Sequence, residues 1–183
     1  IKPVKEKLQK EFPNFIFGEN EDNLPRVLKK QLLKRKETLV FAESCTGGLL
    51  SSSITSIEGA SEIFKGSIIS YSDELKKSLL NVPQNLLKKY GAVSKEIAET
   101  MAINVRKKLS SDWSIAVSGI AGPDGGSIKK PVGLVYISIC GPNGHITNIK
   151  KLFAQTRNRN EIQILSVNVC LNSLRLILLS KSK

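Results

Sequence analysis

Thr38-Leu39-Val40-Phe41-Ala42-Glu43-Ser44-Cys45-Thr46-Gly47-Gly48-Leu49-Leu50 is the stretch on which the reading of this chain turns. Thr38 to Phe41 is a β-branched and aromatic apolar run, the signature of a buried strand. Beyond the glycines, Leu50, Ile54 and Ile57 keep helical spacing, so Ser44 to Gly48 falls at a strand-to-helix turn. The first amides of a helix have no internal partner and carry the positive end of its dipole, so an anion or oxyanion can dock at such a turn. Two adjacent glycines admit a ligand to the backbone, while Ser44, Cys45 and Thr46 offer two hydroxyls and a thiol. The plain alternative is that Ser44 or Thr46 caps the helix and the glycines only make the turn.

Upstream of this turn, residues 1–23 read as an N-terminal extension or connector. It holds an amphipathic helix from Val4 to Phe12, a short strand or anchor over Asn14-Phe15-Ile16-Phe17-Gly18, and a polar link at Asn20 to Asn23. Residues 24–183 read as the main domain, opening with a helix from Leu24 to about Lys36 that accepts Pro25 in its first turn. Downstream, Phe64 to Tyr71 is a second strand, and Ser72 caps a helix whose first turn carries Asp73 and Glu74. Pro83 to Lys89 is a short helical turn closed by Gly91, and Ser94 caps a helix with the stripe Ile97, Met101, Val105 and Leu109. Trp113 to Ser118 is the third strand, followed by a glycine-rich loop from Gly119 to Ser127. Val132 to Ile139 and His145 to about Ala154 flank the turn Gly141-Pro142-Asn143-Gly144 and should form a hairpin. A long, well-buried helix from about Asn160 to Lys181 ends the chain. Strands and helices alternate before a closing hairpin and helix, so the expectation is an α/β fold: a three-layer α/β/α sandwich on a mixed, about five-stranded sheet.

Composition narrows the function classes. With 183 residues, 40% hydrophobic and 24% charged, the chain can bury a sizeable core. No stretch reads as the roughly 18 continuous apolar residues of a membrane span, and Ile1-Lys2-Pro3-Val4-Lys5 does not open a signal peptide. The three cysteines, at 45, 140 and 170, are too scattered for a disulfide framework or a zinc site and point to a reducing, cytoplasmic setting. A net charge of +12 raises the question of nucleic acid, yet the lysines are spread along the polar faces of several helices and aromatic residues make up only 5%. Solvated faces explain that layout better than a nucleic-acid surface, which needs stacking platforms. A basic protein still attracts small phosphorylated substrates at long range.

Elimination narrows the chemistry further. His145 is the one histidine and follows a turn, which argues against a Ser-His-Asp triad and excludes a two-histidine metal site. There is no Gly-x-x-x-x-Gly-Lys-Ser/Thr, and Gly119-Ile120-Ala121-Gly122-Pro123-Asp124-Gly125-Gly126 fails the dinucleotide fingerprint. A nucleophilic Ser44 therefore needs a lysine as its base. Most lysines here lie on solvated faces where they stay protonated. Lys76 differs: it stands in the first turn of a helix directly after a strand, where the dipole and partial burial both disfavour an ammonium. The competing reading is an ordinary surface lysine beside Lys77. The Gly119 to Gly126 loop offers backbone amides to a phosphate or carboxylate, or is simply a wide connection. Arg157 and Arg159 offer bidentate contacts to a phosphate, or are merely exposed.

Several ordered motifs together resemble one family. Phe41-Ala-Glu-Ser-Cys-Thr-Gly-Gly48, Tyr71-Ser-Asp-Glu-Leu-Lys76, Gly91-Ala-Val-Ser94, Ser118-Gly-Ile-Ala-Gly-Pro-Asp-Gly-Gly126 and Lys130-Pro-Val-Gly133 resemble, in order and spacing, the C-terminal domain of the CinA family. That domain also occurs alone in PncC-type nicotinamide-nucleotide amidohydrolases. The resemblance implies hydrolysis of the carboxamide of nicotinamide mononucleotide, without metal or cofactor, by a serine at Ser44 and a lysine at Lys76, with Tyr71 beside them. It implies substrate contacts at Cys45, Thr46, Gly47, Gly48, Gly119, Ile120, Ala121 and Gly122. Where the family carries Gly-Asp-Arg before its last helix, this chain has Thr156-Arg157-Asn158-Arg159-Asn160; aligning Ile162 assigns the substrate-binding arginine to Arg159, with Arg157 second. The resemblance further implies a homo-oligomer, dimer or larger, and a connector at Phe15 to Gly18. Ile1 would then begin inside a longer protein whose N-terminal half resembles a molybdopterin-binding domain. A rival reading is a binding module that keeps the nucleotide pocket but serves DNA uptake or regulation.

Overall fold

In the computed structural model, which describes residues 2–12 and 15–180, five strands form one sheet in the order β2-β1-β3-β4-β5. The strands are β1 Leu39–Glu43, β2 Phe64–Ile69, β3 Trp113–Gly119, β4 Leu134–Cys140 and β5 Ile146–Leu152. β1 runs parallel to β2 and β3, with Phe41 level with Ser67 and Ile115. β4 runs antiparallel to β3 and β5, so the last two strands make the expected hairpin. Two three-residue 3-10 turns, Ala60–Glu62 and Pro142–Gly144, and seven α-helices complete the described residues: α1 Lys2–Glu11, α2 Leu24–Arg35, α3 Leu49–Thr55, α4 Asp73–Leu80, α5 Gln84–Tyr90, α6 Lys95–Lys108 and α7 Arg159–Ser180.

The layering follows from side-chain alternation. Strand residues point to opposite faces in turn. Leu39 and Phe41 join Leu28, Leu32, Ile54, Ile115, Cys170 and Leu174 under α2, α3 and α7. Val40 and Ala42 join Leu80, Leu87, Met101, Val105 and Ala116 under α4, α5 and α6. All five residues of β1 are buried because helices cover both faces, which is why its sequence is a continuous apolar run until Glu43. The fold is the α/β three-layer sandwich on a mixed five-stranded sheet read from the sequence.

Two local readings need correction. Residues 15–18 form a turn and irregular chain, not a strand: Phe15 is 80% exposed, and the Phe17 ring lies against the Arg175 guanidinium with 5.5 Å from Cζ to the ring centroid. Helix α7 is long and apolar enough, by length and composition alone, to cross a membrane, although no such stretch was expected. Its apolarity has a use within the fold, because Ile162, Val167, Cys170, Leu171, Leu174 and Leu178 are all buried in the core. Asn14 and Lys181, expected near the ends of elements, lie outside the described residues.

The topology leaves a crevice. From β1 the chain steps to β2 on one side and then crosses to β3 on the other, so the carboxyl ends of these three strands diverge at a switch point. Open α/β sheets bind ligands at such points.

Candidate active site

Ser44 follows the last residue of β1, and its amide donates to the Val117 carbonyl of β3 at 3.0 Å. The same strand end is held from the other side, where the Ser70 amide donates to the Glu43 carbonyl at 2.8 Å. Ser44 therefore stands at a fixed point of the crevice. It lines a cavity of about 250 Å³ with Cys45, Tyr71, Asp73, Lys76, Ala92, Val93, residues 118–122, Asp124, Gly125 and Arg159.

Lys76, from the first turn of α4, is only 1% exposed. Ser72 caps α4 by accepting from the Leu75 amide at 3.2 Å, which sets where the lysine enters the cavity. Its Nζ donates to the Ser70 carbonyl at 3.0 Å and the Tyr71 carbonyl at 3.1 Å, while the nearer Asp73 carboxylate oxygen is 3.7 Å away. Burial pushes the lysine below its ordinary value, partly opposed by Asp73. A neutral amine has two N–H donors and one lone pair. In that form the two carbonyl acceptors would match its donors and leave the lone pair to accept a proton.

The glycine-rich loop forms the opposite wall. Gly119 is required by close approach, since a Cβ there would lie 2.7 Å from Val135 Cγ2 and 2.9 Å from the Leu134 carbonyl oxygen. Arg159, the first residue of α7, bridges the mouth by donating to the Gly122 carbonyl at 2.8 Å and the Tyr71 hydroxyl at 2.7 Å. Tyr71 is a rim residue, 56% exposed. Arg157 points elsewhere: it donates to Glu161 at 3.1 Å and does not line the cavity.

The turn itself differs from the expected anion cradle. Glu43 is wholly buried and its carboxylate occupies the amino end of α3, accepting from Thr46 Oγ1 at 2.6 Å, Gly48 N at 3.0 Å, Leu50 N at 3.1 Å, Ser51 N at 2.9 Å and Ser51 Oγ. The hydroxyl of Thr46 and the amide of Gly48 are thereby used up, and the Gly47 amide donates to the Ser44 carbonyl at 3.1 Å. Thr46, Gly47 and Gly48 do not line the cavity. Neither Ser44 nor Thr46 caps α3; Gly48 does so, at φ 103°, a conformation that excludes most side chains. Among the described residues, neither the Cys45 nor the Thr46 amide donates to a backbone carbonyl. Burial pushes the Cys45 thiol up to about 12, which keeps it protonated near neutral pH.

A protein-family model described as the CinA C-terminal domain matches residues 21–178. The chain belongs to the CinA family. It is 77% identical over its full 183 residues to a CinA-like protein of Prochlorococcus marinus subsp. pastoris and covers 42% of that protein. A CinA-like protein of Synechococcus is 44% identical over 176 residues, with the chain again covering 42% of it. The chain thus spans about two fifths of the length of the curated relatives it matches. Among solved structures, the competence/damage inducible protein CihA from Agrobacterium tumefaciens superposes with a TM-score of 0.83 at 32% identity, over 89% of this chain and 98% of that one. A CinA superfamily protein from Escherichia coli gives 0.79 at 29% identity, over 90% and 98%.

In this CinA-family site, reasoning from sequence missed three contributors. Glu43 is given no role in the sequence reading, although a carboxylate directly before a serine turn, at the end of an otherwise apolar strand, is the available signal. Gln163 of α7 donates to the Cys45 carbonyl at 2.8 Å and ties the turn to the last helix. Ser118 Oγ donates to the Ala92 carbonyl at 2.8 Å and fixes the wall facing Ser44. Only the fold brings the last two to the site.

Proposed function

We propose that this chain is a metal-independent amidohydrolase that converts the carboxamide of nicotinamide mononucleotide to the carboxylate, releasing ammonia, through a Ser44–Lys76 pair. The observation that carries this reading is that Ser44 and a buried lysine, held by two carbonyls and pushed toward its neutral form, line one small cavity at the carboxyl end of the sheet. Ser44 Oγ bonds to the amide carbon and its proton passes to the Lys76 lone pair. The carbonyl electrons move onto oxygen, stabilised by the Cys45 amide at the cavity wall. Collapse breaks the C–N bond, and Lys76 returns the proton to the departing nitrogen as ammonia. Water then attacks the acyl-serine, gives a proton to Lys76 and frees the acid, and Oγ is reprotonated. The base and each oxyanion donor contribute on the order of 10²-fold or more. Arg159 fits the substrate's phosphate and exchanges its Tyr71 hydroxyl contact for it.

The test is ammonia release from nicotinamide mononucleotide by wild type, Ser44→Ala and Lys76→Ala. Release by the wild type alone supports the proposal. No release above the variants favours a nucleotide-binding module, and release from unrelated amides but not the mononucleotide favours a general amidase.

A further inference from the structure

We propose that Glu43 is a positioning residue for Ser44: its side chain spans the nucleophile turn from within and holds the Cys45 amide at the substrate cavity. The proposal rests on the amidohydrolase reading above. Glu43 is 0% exposed and adjoins Ser44 in sequence, so its backbone fixes one end of the turn. Its side chain fixes the other end: Oε2 takes Thr46 Oγ1, Gly48 N and Leu50 N, and Oε1 takes Ser51 N and Oγ. One side chain thus clamps both ends of a four-residue loop, Cys45 to Gly48.

Two consequences follow for catalysis. The carboxylate neutralises the positive end of α3, so the helix terminus does not compete for the substrate's anionic group. With Thr46 Oγ1, Gly48 N, Leu50 N and Ser51 bound to the carboxylate, the Cys45 amide is the turn's donor left at the cavity wall, which confines the developing oxyanion to one place. A side chain that only stabilised the fold would fix the helix without selecting which amide remains.

Glu43→Gln keeps the shape but replaces one oxygen with an NH₂ group. In either amide orientation that group faces backbone N–H donors, so the turn must shift. A misplacement near 1 Å costs on the order of 10²-fold in rate. The expected result is a folded variant, by circular dichroism, whose kcat per folded molecule falls about 10²-fold while KM stays within about threefold. Labelling of Ser44 by a fluorophosphonate, with Ser44→Ala as blank, should slow in parallel. Thr46→Val combined with Ser51→Ala keeps the carboxylate, removes two of its donors and should lower kcat as well.

A folded Glu43→Gln protein with kcat and labelling rate within twofold of wild type overturns the proposal and leaves the amidohydrolase reading standing. If Glu43→Gln does not fold, the double variant decides: kcat at the wild-type level overturns the proposal. A wild type that releases no ammonia but labels at Ser44 refutes the substrate reading alone, and the labelling rates of the variants then judge Glu43. A wild type that neither labels nor hydrolyses overturns both.

Discussion

Lys76→Met is the most informative single perturbation, because it separates the base from the packing. Methionine fills nearly the same volume with no charge and no donor. In the variant, the Ser70 and Tyr71 carbonyls lose donors now at 3.0 and 3.1 Å. At about 1 kcal/mol net for each hydrogen bond, that costs about 2 kcal/mol of stability. Relief from burying a charged group offsets part of this, so the variant should stay folded at neutral pH. Activity is another matter: under the proposed mechanism the variant loses its general base, which costs 10²- to 10⁴-fold, or about 3 to 5 kcal/mol of barrier.

The pH dependence gives a second, independent reading of the same residue. The folded-state pKa of Lys76 lies below its unfolded value of 10.5, so between the two the unfolded chain binds the extra proton. Wild-type stability contributed by this group therefore rises with pH through that window and is at its lowest below the folded-state pKa. The stability gap between wild type and Lys76→Met should widen in favour of wild type from pH 7 toward pH 10, measured by chemical denaturation. In parallel, wild-type kcat/KM for ammonia release should rise with pH through an apparent pKa below that of an ordinary lysine. A Lys76→Met protein that keeps more than a tenth of wild-type activity, or a stability gap independent of pH, would refute the reasoning.

Other outcomes follow from the same geometry. Arg159→Ala should raise KM for the mononucleotide at least about tenfold, since charge-assisted hydrogen bonds contribute about 1.5–3 kcal/mol, while Arg157→Ala should change it less than about twofold; steady-state kinetics on both variants decides. Cys45, Cys140 and Cys170 are all buried with thiols pushed upward by burial, so iodoacetamide at pH 8 should label native protein only in traces and label all three cysteines after unfolding, as read by mass spectrometry. Gly141→Ala should cost about 1–3 kcal/mol in chemical denaturation, because the new Cβ would overlap the Trp113 ring at Cζ3 in a filled part of the core.

From residue 24 onward the sequence by itself determined the strands and helices and their layering, because local chemistry fixes those. The β-branched run before Ser44, the caps Ser72 and Ser94, the stripe Ile97-Met101-Val105 and the turn at Gly141 to Gly144 each encode a neighbour a few residues away, and the structure has each of them in that role. The pairing of Ser44 with Lys76 was legible as a candidate for the same reason: both stand where a strand ends and a helix begins, and few other groups offer the chemistry. Tertiary structure decided what depends on distance in space. The strand order β2-β1-β3 brings three strand ends together, so that Ser70 and Tyr71 hold the lysine and Val117 holds the serine. Arg159 and Arg157 are two residues apart in sequence, yet their contacts with Gly122 and Glu161 place one at the cavity and leave the other outside it. Glu43 shows the division most clearly, because no pattern of neighbours says where a carboxylate goes when its strand is buried on both faces. It turns to the nearest unpaired amides, which are those of the helix that the same strand leads into.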